Sequence, residues 1–266
     1  MDLQLQGKRA LVTGSSAGIG EAVAKALAQE GVFVVVHGRR EVEVHRVVQE
    51  IEAAGGRAYA VLGDLGTDEG AKQVASATLK ATGGVDILVN NAGAFPAKPW
   101  LETTAADWVT LYDQNVGSMV RMVNHLVPGM KERGWGRVIA IASGVSSLPF
   151  PEMAPYSATK GANVNLAVSL SKALAGTGVT SNAVSPGPIR TPGMEEFARA
   201  SMESAGQTYT FEAFEQAFLK NLPNPVGRIG TVEEIADTIA FLSSPRSAFI
   251  NGANVRVDGG SVPTTN

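Results

Sequence analysis

The chain contains no cysteine. That excludes disulfides, thiolate metal sites and a cysteine nucleophile, and it fits a reducing compartment, so a cytoplasmic location is the expectation. Charge of one sign is not in excess either: 22 Lys and Arg stand against 25 Asp and Glu, for a net charge of −3. With the basic residues scattered among acidic ones there is no broad cationic face, and nucleic acid is not an expected partner. No window approaches the roughly eighteen apolar residues that a membrane span requires. The opening segment carries Asp2 and the Lys8-Arg9 pair, and the apolar run after it, Ala10 to Val12, is too short for a secretory core. The three histidines, His37, His45 and His125, show no i, i+4 pairing and no acid cluster at ligand spacing, so no metal site is expected. Internal repeats and linker-like stretches are also missing.

What is present suits one domain over residues 1–266, with 44% hydrophobic and 18% charged residues. Thirty glycines without a G-X-Y period point to tight turns between regular elements. Short apolar runs at Ala10–Thr13, Phe33–His37, Tyr59–Leu62, Ile87–Asn90, Val138–Ala142, Thr180–Val184 and Val255–Val257 read as strands. Longer amphipathic segments at Ile19–Glu30, Glu41–Ala54, Asp68–Ala81, Ala105–Arg133, Tyr156–Ala175 and Thr231–Leu242 read as helices. Unbroken Val/Ile/Leu strands are buried on both faces, which predicts an α/β fold: a Rossmann-like, doubly wound parallel sheet of about seven strands covered by helices. One stretch breaks the rhythm. Residues 190–228 offer no strand, too long a gap for an ordinary connection. Phe211, Phe214, Phe218, Leu219 and Leu222 recur there at helical spacing, so the insertion is either a substrate-covering lid or a face packed on the body or a neighbouring subunit.

Val12 to Gly20, reading Val-Thr-Gly-Ser-Ser-Ala-Gly-Ile-Gly, ends the first strand and opens the first helix. Glycines there allow a sharp turn and close approach to a pyrophosphate, whose charge meets helix-terminal amides. Gly14, Ser16, Gly18, Ile19 and Gly20 are therefore candidate dinucleotide contacts. The second strand ends in His37-Gly38-Arg39-Arg40. An acid at that tip would bind free ribose hydroxyls, whereas arginine accommodates a 2′-phosphate. Arg39, with Arg40 second, thus favours NADP(H) over NAD(H), although Glu41 is adjacent.

Tyr156 and Lys160 stand four apart at a helix start and share a face. Ser143 lies just past the fifth strand, at the carboxyl edge where such sheets bind ligands. With Thr13-Gly14-x-x-x-Gly18-x-Gly20, Asn90-Asn91-Ala92-Gly93, Asn115, Ser143, Tyr156-Ser157-Ala158-Thr159-Lys160 and Pro186-Gly187-Pro188-Ile189-Arg190-Thr191, the chain resembles the single-domain short-chain dehydrogenases/reductases over nearly its whole length. The resemblance implies that Tyr156 is the general acid to a carbonyl, or base to an alcohol, and that Lys160 holds the nicotinamide ribose. It implies that Ser143 binds the substrate oxygen and that Asn115 anchors a water chain to Lys160. A lysine ammonium about 4 Å from the phenol would contribute about 4 kcal/mol at an effective dielectric near 20, or about three pKa units downward. Asp64 and Leu65 are expected at the adenine, Asn91, Ala92 and Gly93 at the ribose. Pro186, Gly187, Ile189 and Thr191 are expected at the nicotinamide amide and pyrophosphate. NADP-preferring relatives often have a basic residue where this chain has Ala17.

Phe95, Val145, Phe150 and Met153 are candidate substrate contacts beside Ser143 and Tyr156, as are Pro96 and the insertion's Met194, Phe197, Met202, Tyr209 and Phe211. Their apolar character predicts a small-molecule carbonyl or alcohol rather than a multiply charged acid. An NAD-dependent sugar or polyol dehydrogenase and a non-catalytic dinucleotide sensor are the alternatives. The resemblance also implies a homo-oligomer, a tetramer, pairing through Ala105–Arg133 and Tyr156–Ala175.

Overall fold

The computed structural model describes residues 1–264. Seven strands form one parallel sheet: β1 (Arg9–Val12), β2 (Phe33–Gly38), β3 (Arg57–Leu62), β4 (Ile87–Asn90), β5 (Gly136–Ile141), β6 (Val179–Pro186) and β7 (Asn254–Val257), in the order β3-β2-β1-β4-β5-β6-β7. Every expected strand is present within a few residues of its predicted bounds. On one face pack α1 (Gly18–Gln29), α2 (Glu41–Ala53) and α9 (Val232–Ser243), burying Val12, Val34, Val36, Ile87 and Val89. On the other, α3 (Asp68–Thr82), α5 (Ser118–Glu132) and α6 (Ala154–Ala173) cover Leu11, Val35, Leu88 and Val138. Alternate residues of each central strand feed opposite cores, which is why these strands read as continuous apolar runs.

Burial on both faces does not extend to the edges. β3 has the sheet on one side only, and Tyr59 and Leu62 are 47% and 41% exposed. β7, at the opposite edge, is half-buried along its length.

The long helix expected over Ala105–Arg133 is two helices. α4 (Ala105–Tyr112), started by a reciprocal Thr104–Asp107 capping box, leads into a π-helical turn at Asp113–Gly117 before α5 begins. Asn115 sits in that turn, which the apolar periodicity could not reveal because a π-turn adds one residue without ending the helix.

The insertion holds α7 (Pro192–Ser204) and α8 (Phe211–Asn221). Ala198, Met202, Phe211, Phe214 and Ile229 form a separate apolar cluster, with Met194, Tyr209 and Phe218 against it. The phenylalanine stripe therefore packs within the insertion, against α7, rather than onto the sheet-covering helices.

Candidate active site

Strand order reverses between β1 and β4, whose carboxyl ends diverge into a crevice. Gly14 and Gly18 adopt φ of +63° and +58°, left-handed values that side-chain-bearing residues rarely take. A Cβ on Gly20 would fall 2.5 Å from both the Gly14 carbonyl and the Asn91 amide nitrogen. Asn91 explains that crowding: its Nδ2 donates to the carbonyls of Thr13 and Gly14 at 2.9 and 3.0 Å. Thr13 returns the contact, its Oγ1 accepting from the Asn91 and Ala92 amides at 3.0 Å each. The Asn91 and Thr13 side chains thus hold the glycine loop to β4.

Helix α1 begins after Ala17, which supplies no capping side chain, so amides of Gly18, Ile19 and Gly20 keep their hydrogen-bonding capacity for an anion. Across from them stands Thr191, whose Cγ2 lies 3.6 Å from where a Gly18 Cβ would be. Its hydroxyl accepts from the Met194 amide at 3.1 Å as the cap of α7, leaving its proton to donate. Pro186 is the last residue of β6, and buried Ile189 pairs with Gly230 in an isolated parallel bridge that fixes the root of the insertion. Gly187 packs so closely on Asp258 that a Cβ would lie 2.8 Å from its Cα.

At the β2 tip Arg39 and Arg40 are exposed, and among the described residues neither enters an ion pair. Glu41 is turned towards His45, 3.8 Å away, and does not neutralise them. Ser16 reaches the same tip: its Oγ is 3.0 Å from a Cβ built on Gly38. Sequence reasoning missed two supports here. The Arg46 guanidinium donates to the Ser16 carbonyl at 3.2 Å while bound to Glu21 at 2.7 Å, and His37 ties Gly14 to Gly63. His37 carried a signal, as a polar residue ending an otherwise apolar strand. At the β3 tip the exposed Asp64 carboxylate accepts from the Gly66 amide at 3.0 Å, and Leu65 buries its side chain in the core while its carbonyl accepts from Arg121 at 3.2 Å.

The four candidate catalytic residues converge. Ser143, extended at φ −168° just after β5, has its Oγ accepting from the Val145 amide at 3.4 Å and lies close enough to the Tyr156 phenol to influence its acidity. Lys160 is buried one turn further along α6, its Nζ donating to the Ile141 carbonyl at 2.7 Å and 5.5 Å from the Tyr156 ring centroid. Gly93 closes the cluster, since a Cβ there would lie 2.9 Å from Asn115 Oδ1 and 3.9 Å from Lys160 Nζ. Asn115 is engaged throughout: Oδ1 accepts from the Ala94 amide at 2.8 Å, and Nδ2 donates to the Ala94 carbonyl and to Thr159 Oγ1 at 2.9 and 3.0 Å. Its carboxamide clamps the loop after β4, with both Nδ2 protons committed.

The expected acidification of the phenol is not found in the protein alone. Burial pushes Tyr156 up to about 12, with the neighbouring Ser143 hydroxyl acting the other way. Burial likewise pushes Lys160 down to about 8. Desolvation penalises whichever form is charged, so it moves an acid up and a base down together.

Phe95 meets Tyr156 edge-on, centroids 6.3 Å apart, and its Cζ lies 3.6 Å from a Cβ built on Gly193 at the start of α7. The Lys98 amide donates to the Glu152 carbonyl at 2.8 Å, joining the Phe95 loop to the turn that carries Phe150 and Met153. Val145 follows Ser143 in a 3-10 turn. Phe197 is 58% exposed, whereas Met202 and Phe211 are absorbed in the insertion's own core.

A family model described as short chain dehydrogenase matches residues 8–201. The chain is 41% identical to the uncharacterized oxidoreductase YvaG of Bacillus subtilis, over 98% of each protein. It is 35% identical to the gluconate 5-dehydrogenase of Gluconobacter oxydans, over 96% of this chain and 95% of the other. The L-sorbose reductase of Gluconobacter frateurii, solved with NADPH and L-sorbose, superposes with a TM-score of 0.95 at 32% identity, covering 99% of this chain and all of that one. By sequence and by fold, the chain belongs to the short-chain dehydrogenase/reductase family of oxidoreductases.

Proposed function

We propose that this protein is an NADP(H)-dependent reductase of a small uncharged ketone, with Tyr156 as the proton donor. The observation that carries the reading is the Ser143–Tyr156–Lys160 cluster set against the β1 loop and Gly93 at one sheet edge. The fit to a dinucleotide rests on the uncapped start of α1, the two left-handed glycines and the Thr191 hydroxyl opposite them. Amides of Gly18 to Gly20 would meet the pyrophosphate, Arg39, Arg40 and Ser16 the 2′-phosphate, and Asp64 and Leu65 the adenine. Asn91, Ala92 and Gly93 would flank the ribose, with Pro186, Gly187, Ile189 and Thr191 along the nicotinamide side. When bound, the coenzyme supplies hydride.

The protein's part is the proton. A carbonyl oxygen held by the Ser143 hydroxyl would lie within reach of the Tyr156 phenol, which burial keeps protonated in the neutral range and which is the proton donor to the developing alkoxide. Lys160, near 8, retains its own proton at neutral pH and can hold ribose hydroxyls while stabilising the tyrosinate left behind. Phe95, Val145, Phe150 and Met153 give the cleft an apolar wall, and the L-sorbose bound by the related reductase supports a compact polyhydroxy ketone as the substrate class. The relation to a gluconate dehydrogenase favours a second reading, a polyol-oxidising enzyme. The insertion acts as the lid, and exposed Val109, Tyr112 and Val120 on α4 and α5 support pairing of copies in a homotetramer.

The test is calorimetric titration with NADPH and NADH, followed by reduction of L-sorbose and a panel of apolar ketones. Tighter NADPH binding with turnover of a ketone is expected. NADH preference would overturn the coenzyme assignment, and binding without any turnover would favour a sensor.

A further inference from the structure

One buried side chain at the β2 tip serves neither the proton chemistry nor the hydrophobic core. His37 is only 3% exposed. Its Nδ1 accepts from the Gly14 amide at 3.1 Å, and its Nε2 lies 3.2 Å from the Gly63 carbonyl. Its backbone is tied as well: the His37 amide donates to Ser15 Oγ at 2.9 Å, and its carbonyl accepts from the Ser15 amide at 2.8 Å. A backbone amide only donates and a backbone carbonyl only accepts, so Gly14 requires a bare Nδ1 and Gly63 requires the proton on Nε2. Both partners select one neutral tautomer.

Gly14 is thereby held from two sides. Its carbonyl receives the Asn91 carboxamide from β4, and its amide is taken by His37 from β2. An apolar residue at position 37 would leave the Gly14 amide and Gly63 carbonyl without these partners. We propose that His37 is a coenzyme-positioning residue, a neutral latch that sets the glycine loop against the β2 and β3 tips where the adenosine end of the coenzyme enters. The proposal rests on the dinucleotide reading above. With the Gly14 amide occupied, the anion-binding role falls to Gly18, Ile19 and Gly20. The charged groups facing the imidazole are Asp64 and Arg39, which act in opposite directions, while burial sets the balance and pushes the ring down to about 4. The latch is therefore uncharged at neutral pH.

Two substitutions separate latch from space-filler. His37→Asn keeps an acceptor near the Nδ1 position, while His37→Gln extends its amide towards Gly63 and leaves Gly14 unmatched. An unmet buried amide costs about a factor of ten in an equilibrium constant. Calorimetric NADPH affinity of His37→Gln should fall about tenfold, and His37→Asn should recover most of it. Equal affinity in all three proteins, or equal loss in both variants, overturns the proposal. Imidazole 15N spectra of the wild type need no variant: a bare Nδ1 and protonated Nε2 at neutral pH are expected, and the opposite tautomer or a charged ring would overturn the latch. A wild type that binds neither NADPH nor NADH sinks the dinucleotide reading and the latch with it, and is recognisable because no variant is involved.

Discussion

The glycine-loop edge and the insertion are built on opposite plans. Around the loop, buried polar groups bind strand to strand: Asn91 to Thr13 and Gly14, Thr13 to Asn91 and Ala92, His37 to Gly14 and Gly63. The insertion has an apolar cluster of its own, and its ion pairs, Arg190–Glu195 and Arg228–Glu234, are surface pairs. A hydrogen-bonded buried network has one satisfied geometry, so the loop is fixed relative to the sheet. A module whose core is internal can shift as a unit without breaking that core. The difference supports the proposed division into a fixed coenzyme seat and a movable substrate lid.

Glycines give the sharpest contrast. Gly20→Ala would drive a methyl to 2.5 Å from the Gly14 carbonyl and the Asn91 nitrogen, so the loop must deform. NADPH affinity should fall by at least about a hundredfold, equivalent to about 3 kcal/mol, as read by calorimetry. Gly193→Ala, in the insertion, meets nothing nearer than 3.6 Å and should change stability by less than about 0.5 kcal/mol. Similar losses in both would erase the distinction.

Next comes acid stability. His37 is pushed to about 4 in the fold from a usual 6.5, so between those values the unfolded chain binds more protons. That contribution to stability is whole above pH 6.5 and is lost as pH falls towards 4, by about 3 kcal/mol in all. Denaturant midpoints from pH 7 to 4.5 should show this slope in the wild type and lose it in His37→Asn. Carboxylates such as Glu234, moved from 4.5 to about 2, lose their contribution mainly between those values, so they overlap only the acid end of that window and cancel in the comparison with His37→Asn.

Arg39→Asp tests the electrostatics of the rim. It should weaken NADPH binding by about ten- to a hundredfold, the range for one charge-assisted contact, with NADH affected far less. The smallest effect belongs to the surface pair between the end of the insertion and α9: Arg228→Gln removes a solvent-accessible ion pair and should move Tm by no more than about 2 °C.

Much of this was legible in the sequence because its signals are local. Each strand is a compact apolar run, and the loops with Gly14, Gly18 and Gly20, and the Tyr156–Lys160 pair, lie within one turn or one helical repeat. What escaped depends on distant partners. The edge position of β3 is a fact of topology, so the exposure of Tyr59 and Leu62 could not be read from their own neighbours. The π-turn at Asn115 and its clamp on Ala94 join residues 21 apart. The phenol's acidity was misjudged because spacing reports the charge of Lys160 but not the burial that opposes it.

The central claim is that the Tyr156 phenol delivers the proton. It is tested most directly by measuring ketone-dependent NADPH oxidation and NADPH affinity together in wild type and Tyr156→Phe. The account predicts unchanged coenzyme binding with turnover reduced about a thousandfold, within the range for a lost general acid. Turnover in the variant equal to that of the wild type would contradict it.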